Sequence, residues 1–250
     1  MFRRIPSRRA LAAFAKLRGY RLERRWPFLI RAEGKALNLN FGDLLEYQYA
    51  RSRRFTFVSV GAYDGVENDP ISAFARTHDC HGLLLEPQPG PFARLRANYS
   101  DFPKLSALNV AIDEVSGSRT LYFIPSGKSG LPAWTEQLAS FEIEHLLKHE
   151  ASAPGLSEHV ENREVEVVSF NDLIDAHHLS EIDVLQIDAE GMDGQMLRWF
   201  PFERLKPGLV HYETSHMATQ ELQATRERLR SFGYRVGAAD SDSDDMAVLA

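Results

Sequence analysis

The chain has 250 residues, enough for one large domain or for one domain with an additional arm. It is 44% hydrophobic and 26% charged, which excludes disorder, collagen and coiled-coil structure for most of its length. A single cysteine, Cys80, excludes an internal disulfide and a cysteine-rich zinc site. No apolar run reaches the roughly 18 residues of a membrane helix, and the basic N-terminus lacks the continuous apolar segment of a secretory signal. We therefore expect a cytoplasmic protein.

The net charge of −6 conceals a strong asymmetry along the chain. Residues 1–54 contain 14 Lys and Arg against 4 Asp and Glu, a net charge of +10, whereas residues 55–250 carry a net charge of −16. The favoured interpretation is that the basic segment is solvated or docks on the acidic body. The alternative is an electrostatic guide for an anionic substrate or a membrane surface.

The N-terminal segment has helical periodicity, because apolar residues recur every three or four positions after a suitable N-cap, Ser7. We predict an amphipathic helix over residues 7–25, and a second helix that begins near Asp43 after a short strand or turn. We assign residues 1–50 to a basic, helical N-terminal arm and residues 51–250 to one folded domain.

From residue 55 onward, buried strand patterns alternate with helical patterns. This alternation predicts an α/β fold with a doubly wound, mostly parallel sheet, and the last two strands predict an antiparallel closing hairpin. The predicted strands cover residues 55–60, 82–85, 105–112, 119–124, 165–170, 182–187, 208–213, 234–236 and 246–249. The predicted helices cover residues 70–77, 140–149, 171–177, 194–200 and 220–232, together with a helix through Phe92, Leu95 and Tyr99.

Ligands of open parallel sheets bind beyond the carboxyl ends of the strands, and four predicted strands end in glycine or polar residues. These strand ends are residues 61–65, Glu86, residues 109–111 and residues 188–191.

The first strand end is a glycine turn. Gly61 and Gly65 either let the backbone approach a ligand or simply form a tight strand-to-helix turn. Tyr63 stands where a dinucleotide-binding loop has its second glycine, so a pyrophosphate would meet a bulky side chain. The turn also lacks the Gly-Lys-Ser/Thr of a phosphate-binding loop, which argues against nucleotide hydrolysis.

The second strand end is Glu86. A carboxylate at this place can accept hydrogen bonds from both hydroxyls of a ribose, although it is also a favourable charge before a helix N-terminus. Together, the glycine turn and Glu86 indicate an adenosine site without a pyrophosphate clamp. S-adenosylmethionine is the common cofactor of that shape.

Three motifs occur in order: FVSVGAYDGV at residues 57–66, GLLLEPQ at residues 82–88 and IDVLQIDAEG at residues 182–191. With these motifs, the chain resembles the FkbM family of S-adenosylmethionine-dependent methyltransferases over residues 55–249. The resemblance implies a class I methyltransferase (Rossmann-like) fold and, most often, O-methylation of a sugar or natural-product hydroxyl. The cofactor-binding residues that it implies are Gly61, Ala62, Tyr63, Asp64, Gly65, Asp69, Glu86, Pro87, Asn109, Ala111 and Asp188.

Three residues depart from the usual pattern of that family. Ser59 stands where an Asp commonly helps to hold the methionine end of the cofactor, and Asp64 or Asp69 is the candidate replacement. Gln186 replaces a frequent Lys, and Asp193 replaces a Glu.

Methyl transfer to a hydroxyl requires positioning of the acceptor and benefits from a general base. We predict Asp188, Glu190, His211 and Glu213 as the catalytic group, with His216 as a further candidate. Asp188 is favoured because it follows the fourth core strand, and because clustered carboxylates raise one another's pKa toward neutrality. Its alternative role is to cap the following helix.

A divalent metal ion is a less favoured use of the same region. Asp188, Glu190, Asp193 and His211 offer ligand atoms suited to Mg²⁺ or Mn²⁺, but their spacing is not diagnostic. We therefore predict S-adenosylmethionine as the cofactor and assign no metal site.

Residues 126–160 form a long connection for a compact domain, which predicts a lid or a substrate-binding insert. Its aromatic and basic residues could stack on a sugar and donate hydrogen bonds to it. These residues are Lys128, Trp134, Phe141, His145, Lys148 and His149. The alternative is a helix that packs on the edge of the sheet.

The function predicted from the sequence is an O-methyltransferase that acts on a small-molecule or glycan acceptor. The alternative is a non-catalytic partner or binding protein with a cofactor fold. Nucleic-acid methylation ranks last, because the body is acidic and no Asn-Pro-Pro-Tyr or Asp-Pro-Pro-Tyr motif occurs. A homo-oligomer, and a peripheral contact of the basic arm with a membrane or an anionic substrate, are compatible with the sequence.

Overall fold

The computed structural model describes residues 21–22, 29–32, 35–38, 40–67, 69–127, 130–239 and 243–250. The helix predicted over residues 7–25 lies outside these residues, apart from Arg21–Leu22, which form strand β1. Strand β1 pairs with β2 (Leu29–Ala32), and β2 pairs with β3 (Lys35–Asn38), in a small antiparallel sheet. The described part of the predicted helical arm therefore contains strands.

Helix α1 (Phe41–Tyr49) begins slightly earlier than the start predicted near Asp43. Its first turn is closed by a capping box, in which the Asn40 side chain accepts a hydrogen bond from the Asp43 N–H at 2.7 Å. In return, the Asp43 carboxylate accepts one from the Asn40 N–H at 3.2 Å. Leu44 and Leu45 are buried in a core cluster that includes main-sheet residues, so α1 packs on the main domain.

Seven strands form the main sheet. They are β4 (Phe55–Val60), β5 (Cys80–Leu85), β6 (Leu105–Leu108), β11 (Val184–Ile187), β12 (Leu209–Glu213), β13 (Tyr234–Ala238) and β14 (Asp244–Leu249). Their order across the sheet is β13-β14-β12-β11-β4-β5-β6, and β14 alone runs antiparallel to the other strands. The predicted mostly parallel sheet and its antiparallel closing hairpin are confirmed.

Helices cover both faces of the main sheet. They are α2 (Ser72–Thr77), α3 (Pro89–Asn98), α5 (Phe170–Ala176), α6 (Asp193–Trp199) and α7 (Thr219–Ser231). One apolar cluster joins α1, α2 and α3 to one face through residues such as Leu45 and Leu95. A second cluster joins α5, α6 and α7 to the other face through residues such as Leu173 and Leu229. This two-sided burial explains why the central strands are apolar throughout.

Four further strands form a second, smaller sheet. They are β7 (Ala111–Ile112), β8 (Gly117–Phe123), β9 (Ala139–Ser140) and β10 (Glu161–Val168), in the order β7-β10-β8-β9. The strand predicted over residues 105–112 is therefore two strands in two sheets. The strands predicted over residues 119–124 and 165–170 correspond to β8 and β10, which pair antiparallel with each other. Both keep many exposed side chains, which an antiparallel pair tolerates better than a central parallel strand does.

Residues 126–160, the predicted insert, lie between β8 and β10. They contain β9, helix α4 (Ile143–Leu147) and two 3₁₀ helices, Ala133–Gln137 and Leu156–His159. Leu138 and Leu146 are buried with their neighbours in a small separate core. Along the part of the chain that the structure describes, no helix combines the length and apolar character needed to cross a membrane.

Candidate active site

A cleft of about 880 Å³, the first cleft, opens at the carboxyl ends of β4, β5 and β11. The insert contributes to its wall through Ser140 and Phe141. Most of the predicted cofactor-binding residues line it, namely Gly61, Ala62, Tyr63, Asp69, Glu86, Pro87, Ala111 and Asp188. The predicted residues that do not line it are Asp64, Gly65 and Asn109.

The glycine turn after β4 is required by packing. Gly61 has a φ angle of +78°, and a Cβ atom there would lie 1.7 Å from the backbone oxygen of Asp188. Gly65 has a φ angle of +69°, and a Cβ atom there would lie 2.3 Å from Cε2 of Tyr99. The two glycines therefore let β4 approach the end of β11 and seat the turn against the residue that follows α3. Gly65 supports the first cleft without lining it, and its predicted contact with the cofactor stays a prediction.

Glu86 is buried at the end of β5, and its carboxylate lines the first cleft. Its Oε2 accepts a hydrogen bond from the Tyr63 N–H at 2.9 Å, and its Oε1 accepts one from the Gln88 N–H at 2.7 Å. Burial raises the pKa of Glu86 to about 8, and the two N–H donors oppose this shift. Because a carboxylate has about four acceptor positions, Glu86 can still accept hydrogen bonds from ligand hydroxyls.

Asn109 positions the loop that carries Glu86. Its Nδ2 donates to the backbone oxygen of Glu86 at 2.8 Å and to that of Pro87 at 3.1 Å. The amide is thereby occupied, and the next two residues, Val110 and Ala111, line the first cleft instead. Asn109 thus supports the cleft from behind, and its predicted contact with the cofactor stays a prediction.

Asp69 places an acidic group in the first cleft, where Ser59 offers none. Its Oδ1 accepts a hydrogen bond from the Ile71 N–H at 2.9 Å, whereas Oδ2 is buried without a hydrogen-bond partner among the described residues. Burial raises the pKa of Asp69 to about 6. The amide of Gln186 lies near Asp69 and lowers its pKa in part. The two side chains are nevertheless too poorly aligned for a hydrogen bond to Oδ2.

Asp64, the other candidate replacement for the missing acid, has a local role. Its Oδ1 accepts hydrogen bonds from the N–H groups of Val66 and Glu67, both at 2.9 Å. Asp64 therefore shapes its own turn and does not line the first cleft, whereas Asp69 does, so Asp69 is the better placed of the two predicted replacements.

Asp188 follows β11 at the foot of the first cleft, where its side chain is open to the cleft and enclosed by protein elsewhere. This enclosure raises the pKa of Asp188 to about 8, with further contributions from the carboxylates of Asp193 and Glu213. Water that enters the open cleft reduces the shift, and a ligand that excludes this water restores it. Asp188 is thus an exposed carboxyl group whose pKa is raised beside the expected reaction centre, and solvent in the open cleft moderates that rise.

Asp193 begins α6 and is buried between the ends of β11 and β12. Its Oδ2 accepts a hydrogen bond from the Ala189 N–H at 3.2 Å, and its Oδ1 accepts one from the Glu213 N–H at 3.1 Å. Burial and the neighbouring Glu213 raise the pKa of Asp193 to about 7. Because both oxygens hold backbone donors, Asp193 fixes the ends of β11 and β12.

Glu190, Glu213 and His216 meet at one side of these strand ends. Nε2 of His216 lies 3.5 Å from Oε2 of Glu190 and 3.6 Å from Oε1 of Glu213. Hydrogen bonding to Glu190 raises the pKa of His216, so the imidazolium offsets the two carboxylates. One carboxylate oxygen of each Glu and one ring nitrogen of His216 lie within 4.8 Å of one another. Among the described residues, these three are spaced closely enough to bind a metal ion together.

His211 does not line the first cleft. Its ring packs on Phe41 of α1, with centroids 4.4 Å apart, and its Nε2 lies 3.8 Å from Oδ2 of Asp244. Burial lowers the pKa of His211 to about 4. Because it lies inside β12 and not at its end, His211 is a neutral core residue. The structure therefore does not bring His211 to the first cleft with Asp188, and its catalytic role stays a prediction.

A second cleft, of about 600 Å³, adjoins the first and shares Ser140 and Glu190 with it. The insert contributes His145, Lys148 and His149 to its lining. These three residues are among those predicted to contact a sugar, and the structure brings them beside the first cleft.

The other predicted sugar-contacting residues have varied positions. Trp134 packs against the ring of His149, with centroids 5.5 Å apart, and is partly exposed. Phe141 lines the first cleft under the guanidinium of Arg119, which lies 4.2 Å from its ring centroid. Lys128 lies outside the described residues.

Sequence reasoning missed two polar residues of the first cleft, Gln88 and Gln186. Each has a buried Oε1 atom without a hydrogen-bond partner among the described residues. Both lie inside the motifs at residues 82–88 and 182–191, and Gln186 is one of the departures from the family pattern, but neither is among the residues predicted for the cofactor site. Other unpredicted residues of the cleft are Glu67, Val110, Leu121, Gln137, Ala139, Ser140, Met192 and Met196.

The strand order of the main sheet and the cleft at its carboxyl edge define a class I methyltransferase. The family model of the Methyltransferase FkbM domain matches residues 59–236, which is more than half of the chain. The chain therefore belongs to the FkbM methyltransferase family, and the resemblance seen in the sequence is confirmed. It is an S-adenosylmethionine-dependent methyltransferase by family and fold.

Several solved structures are similar to the chain. The FkbM methyltransferase from Methylobacillus flagellatus KT shares 15% identity at a TM-score of 0.47, over 82% of this chain and 47% of that one. The precorrin-6y C5,15-methyltransferase from Geobacter metallireducens GS-15 shares 13% identity at a TM-score of 0.44, over 84% and 87%. An O-methyltransferase from Bacillus cereus in complex with SAH shares 11% identity at a TM-score of 0.44, over 85% and 83%. No curated protein sequence matches the chain.

The residues of the first cleft fit S-adenosylmethionine. Glu86 offers acceptor positions for the two ribose hydroxyls. Asp69, Gln88 and Gln186 each present a buried oxygen that lacks a donor among the described residues, and the α-ammonium and adenine amino groups are such donors. These four residues are the ones that would hold the cofactor.

Proposed function

We propose that the chain is an O-methyltransferase whose acceptor is a hydroxyl group of a sugar, a glycan or a natural product. The observation that supports this most is the second cleft beside the cofactor residues. Its lining combines donors, Lys148 and His149, with an acceptor, Glu190. A polyhydroxyl compound needs both kinds of partner, because each hydroxyl both donates and accepts hydrogen bonds.

Asp188 is the proposed general base. When bound, S-adenosylmethionine supplies a methyl group that is already activated for displacement by its sulfonium. Asp188 accepts the proton of the acceptor hydroxyl at its carboxylate, and its raised pKa makes it a stronger base than an ordinary Asp. The positive charge of the sulfonium would favour the ionised form of Asp188 and so oppose the rise in pKa that the exclusion of water causes.

The neighbouring residues position the acceptor. Glu190 lines both clefts, so it can accept a hydrogen bond from an acceptor hydroxyl at their junction. Glu213 and His216 hold Glu190 in an ion-paired group. Ser140 and Phe141 of the insert form part of the wall of the first cleft and help to exclude water from it.

The test is methyl transfer from labelled S-adenosylmethionine to a panel of neutral sugars, glycans and phenolic natural products. We expect label in a base-stable ether linkage on at least one hydroxyl compound. Transfer only to amines or carbon atoms would contradict O-methylation. Tight binding of S-adenosylhomocysteine with no transfer to any acceptor would instead favour the non-catalytic alternative.

A pair of lysine variants tests the place of the acceptor. Lys148→Ala should raise the KM for the acceptor while the affinity for S-adenosylhomocysteine stays the same. The reason is that Lys148 lines the second cleft and does not line the first. Lys206→Ala is the matched control, since Lys206 lies outside both clefts and donates to the backbone oxygen of Phe232. An unchanged KM in Lys148→Ala would remove the second cleft from acceptor binding.

A further inference from the structure

A third cleft, of about 1270 Å³, lies at the opposite edge of the main sheet from the active site. It opens at the amino ends of β4, β5 and β6 and is bounded by the segment that follows α5. Strand β4 has 6 residues, so about 20 Å separates its two ends. A group bound in the third cleft is therefore remote from Asp188 and from the methyl-transfer site.

The third cleft is basic. Among the described residues that line it, Arg53, Arg54 and Lys104 carry permanent positive charge, against the carboxylate of Glu181. Lys104 also forms an ion pair with Asp79, which does not line the cleft, so the two arginines contribute most of its net positive charge. Three imidazoles join them, those of His81, His177 and His178.

The pKa of His81 reports the local field. Burial lowers this pKa, and the positive charges of Arg54 and Lys104 lower it further, against an opposing contribution from Asp79. Nη2 of Arg54 lies 3.2 Å from Nδ1 of His81, so guanidinium and imidazole face the same space. Positive charge thus prevails at the centre of the third cleft.

This concentration of positive charge is local. Residues 55–250 carry a net charge of −16, yet Lys104 and the three histidines of that stretch meet Arg53 and Arg54 at one edge. An acidic body repels anions over most of its surface, so a basic concavity in it directs an anion to one place.

We propose that the third cleft binds a phosphate group. A guanidinium presents donors in a fork that matches phosphate oxygens, and a lysine adds a compact positive charge. The hydroxyls of Thr56 and Ser106 and the imidazoles can supply further donors at the lining. The phosphate belongs either to a soluble phosphorylated molecule or to a phospholipid headgroup, and in both cases it is anchored away from the reacting hydroxyl.

Two binding measurements on the full chain test the proposal. Calorimetry with inorganic pyrophosphate represents the soluble source, and co-sedimentation with phosphatidylcholine vesicles, with and without phosphatidic acid, represents the lipid source. The variant is Arg54→Ala combined with Lys104→Ala. The matched control is Arg96→Ala combined with Arg163→Ala, which removes the same charge from two exposed positions outside the third cleft.

We expect the parent to bind at least one probe, and the cleft variant to lose about tenfold or more in affinity. The affinity of the control variant should change by less than about twofold, because salt screens the effect of charges removed far from the third cleft. Binding of vesicles alone would assign the phosphate to a lipid, and binding of pyrophosphate alone would assign it to a soluble molecule. Failure of the parent to bind either probe, or an equal loss in both variants, would overturn the proposal.

A readout on the unaltered chain covers the case in which the variant misfolds. Nuclear magnetic resonance follows the titration of the His81 imidazole. Its resonance is assigned as the one that is missing from the spectrum of His81→Gln. Bound pyrophosphate should raise the pKa of His81, because an anion offsets the positive field of Arg54 and Lys104. An unchanged titration at saturating pyrophosphate would show that the anion does not enter the third cleft.

Discussion

The two edges of the main sheet carry opposite charge. At the carboxyl edge, Asp69, Glu86 and Asp188 line the first cleft. At the amino edge, Arg54 and Lys104 line the third cleft. One sheet thus separates an acidic cleft, suited to a cofactor with a sulfonium and an ammonium group, from a basic cleft suited to an anion.

The pKa shifts at the two edges have opposite directions for one physical reason. At the acidic edge, the pKa of Asp188 is raised to about 8, so this carboxyl resists a further negative charge. At the basic edge, the pKa of His81 is lowered, so this imidazole resists a further positive charge. In both places burial acts with neighbours of like sign to keep the group neutral. A bound ligand of opposite charge would favour the charged form of the group at either edge. The pKa of each group should therefore change when an ion binds in its cleft.

The largest effect is expected from Asp188→Asn, which keeps the size of the side chain and removes its charge. Turnover should fall by about 10²-fold or more, because a general base typically contributes that much. The affinity for S-adenosylhomocysteine should change far less. Steady-state kinetics and calorimetry measure the two quantities, and Asp101→Asn on the surface is the control. Full turnover in Asp188→Asn would remove Asp188 from the role of base.

The pH dependence of the same variant sharpens the assignment. In the parent, kcat/KM should rise with pH through the region of about 8, because Asp188 must lose its proton before it can accept another. The rising limb should disappear in Asp188→Asn. A limb that persists unchanged in the variant would assign it to another group with a raised pKa, such as Asp193, Glu213 or His216.

The next effect is a loss of cofactor affinity in Glu86→Ala. Each charged hydrogen bond to a ribose hydroxyl contributes about 1.5–3 kcal/mol, so the affinity for S-adenosylhomocysteine should fall at least tenfold. Asn109→Ala is the matched control, because Asn109 supports the same loop through the backbone oxygens of Glu86 and Pro87. Equal losses in both variants would mean that Glu86 acts through the loop and not through the ribose.

Much of the acidic edge could be predicted because it follows from local order along the chain. Strands β4, β5 and β11 are apolar runs, and the polar residue after each one must lie at the carboxyl edge of a parallel sheet. Glu86 and Asp188 are found by this rule alone. His211 shows the limit of the rule. The alternation of β12 predicts which face of the sheet its side chain is on, but not that helix α1 covers that side chain through Phe41.

The basic edge could not be predicted in the same way. Arg53, His81, Lys104 and His177 come from four separate segments, and no motif marks any of them. They meet because β4, β5 and β6 are neighbours and the segment after α5 turns back toward them. The second sheet escaped prediction for a related reason. Alternating exposure in β8 and β10 indicates an antiparallel pair but does not say which sheet it joins.

A smaller effect is expected from Asp69→Asn, which distinguishes the two ends of the cofactor. The Asn side chain can still accept the hydrogen bond from the Ile71 N–H, so only the charge near the buried Oδ2 is lost. The affinity for S-adenosylhomocysteine should fall about tenfold, whereas that for 5′-methylthioadenosine, which lacks the amino acid end, should stay the same. Asp64→Asn makes the identical change in the same loop outside the first cleft. Parallel losses for both ligands would refute the assignment of Asp69 to the ammonium group.

The smallest expected effect is on the melting temperature of the cofactor-free protein between pH 6.5 and 8.5. In this window the unfolded chain has already ionised its carboxyls, whereas the buried Asp193 and Glu86 in the folded state still hold protons over part of it, with pKa values of about 7 and 8. Asp188, whose pKa is also raised, is exposed to solvent and contributes less. The folded state therefore binds more protons than the unfolded state, and the free energy of unfolding falls as pH rises. Below pH 6.5 the lowered pKa of His81 acts in the opposite direction, because the unfolded chain then binds the extra proton.

The predicted fall is a few degrees, since 1 kcal/mol shifts the melting temperature of a domain of this size by about 2–4 °C. Thermal unfolding at constant ionic strength measures it, and Glu86→Gln should reduce the slope by removing one of the three titrating groups. The acidic edge dominates this window because its buried carboxyls titrate above pH 6.5, whereas the lowered pKa of His81 places the titration of that imidazole below it. A melting temperature that rises from pH 6.5 to 8.5 would show that the carboxyls of the first cleft are ionised at neutral pH. Burial would then not raise the pKa values of these carboxyls above neutral pH, and the first cleft would be negatively charged in the cofactor-free protein.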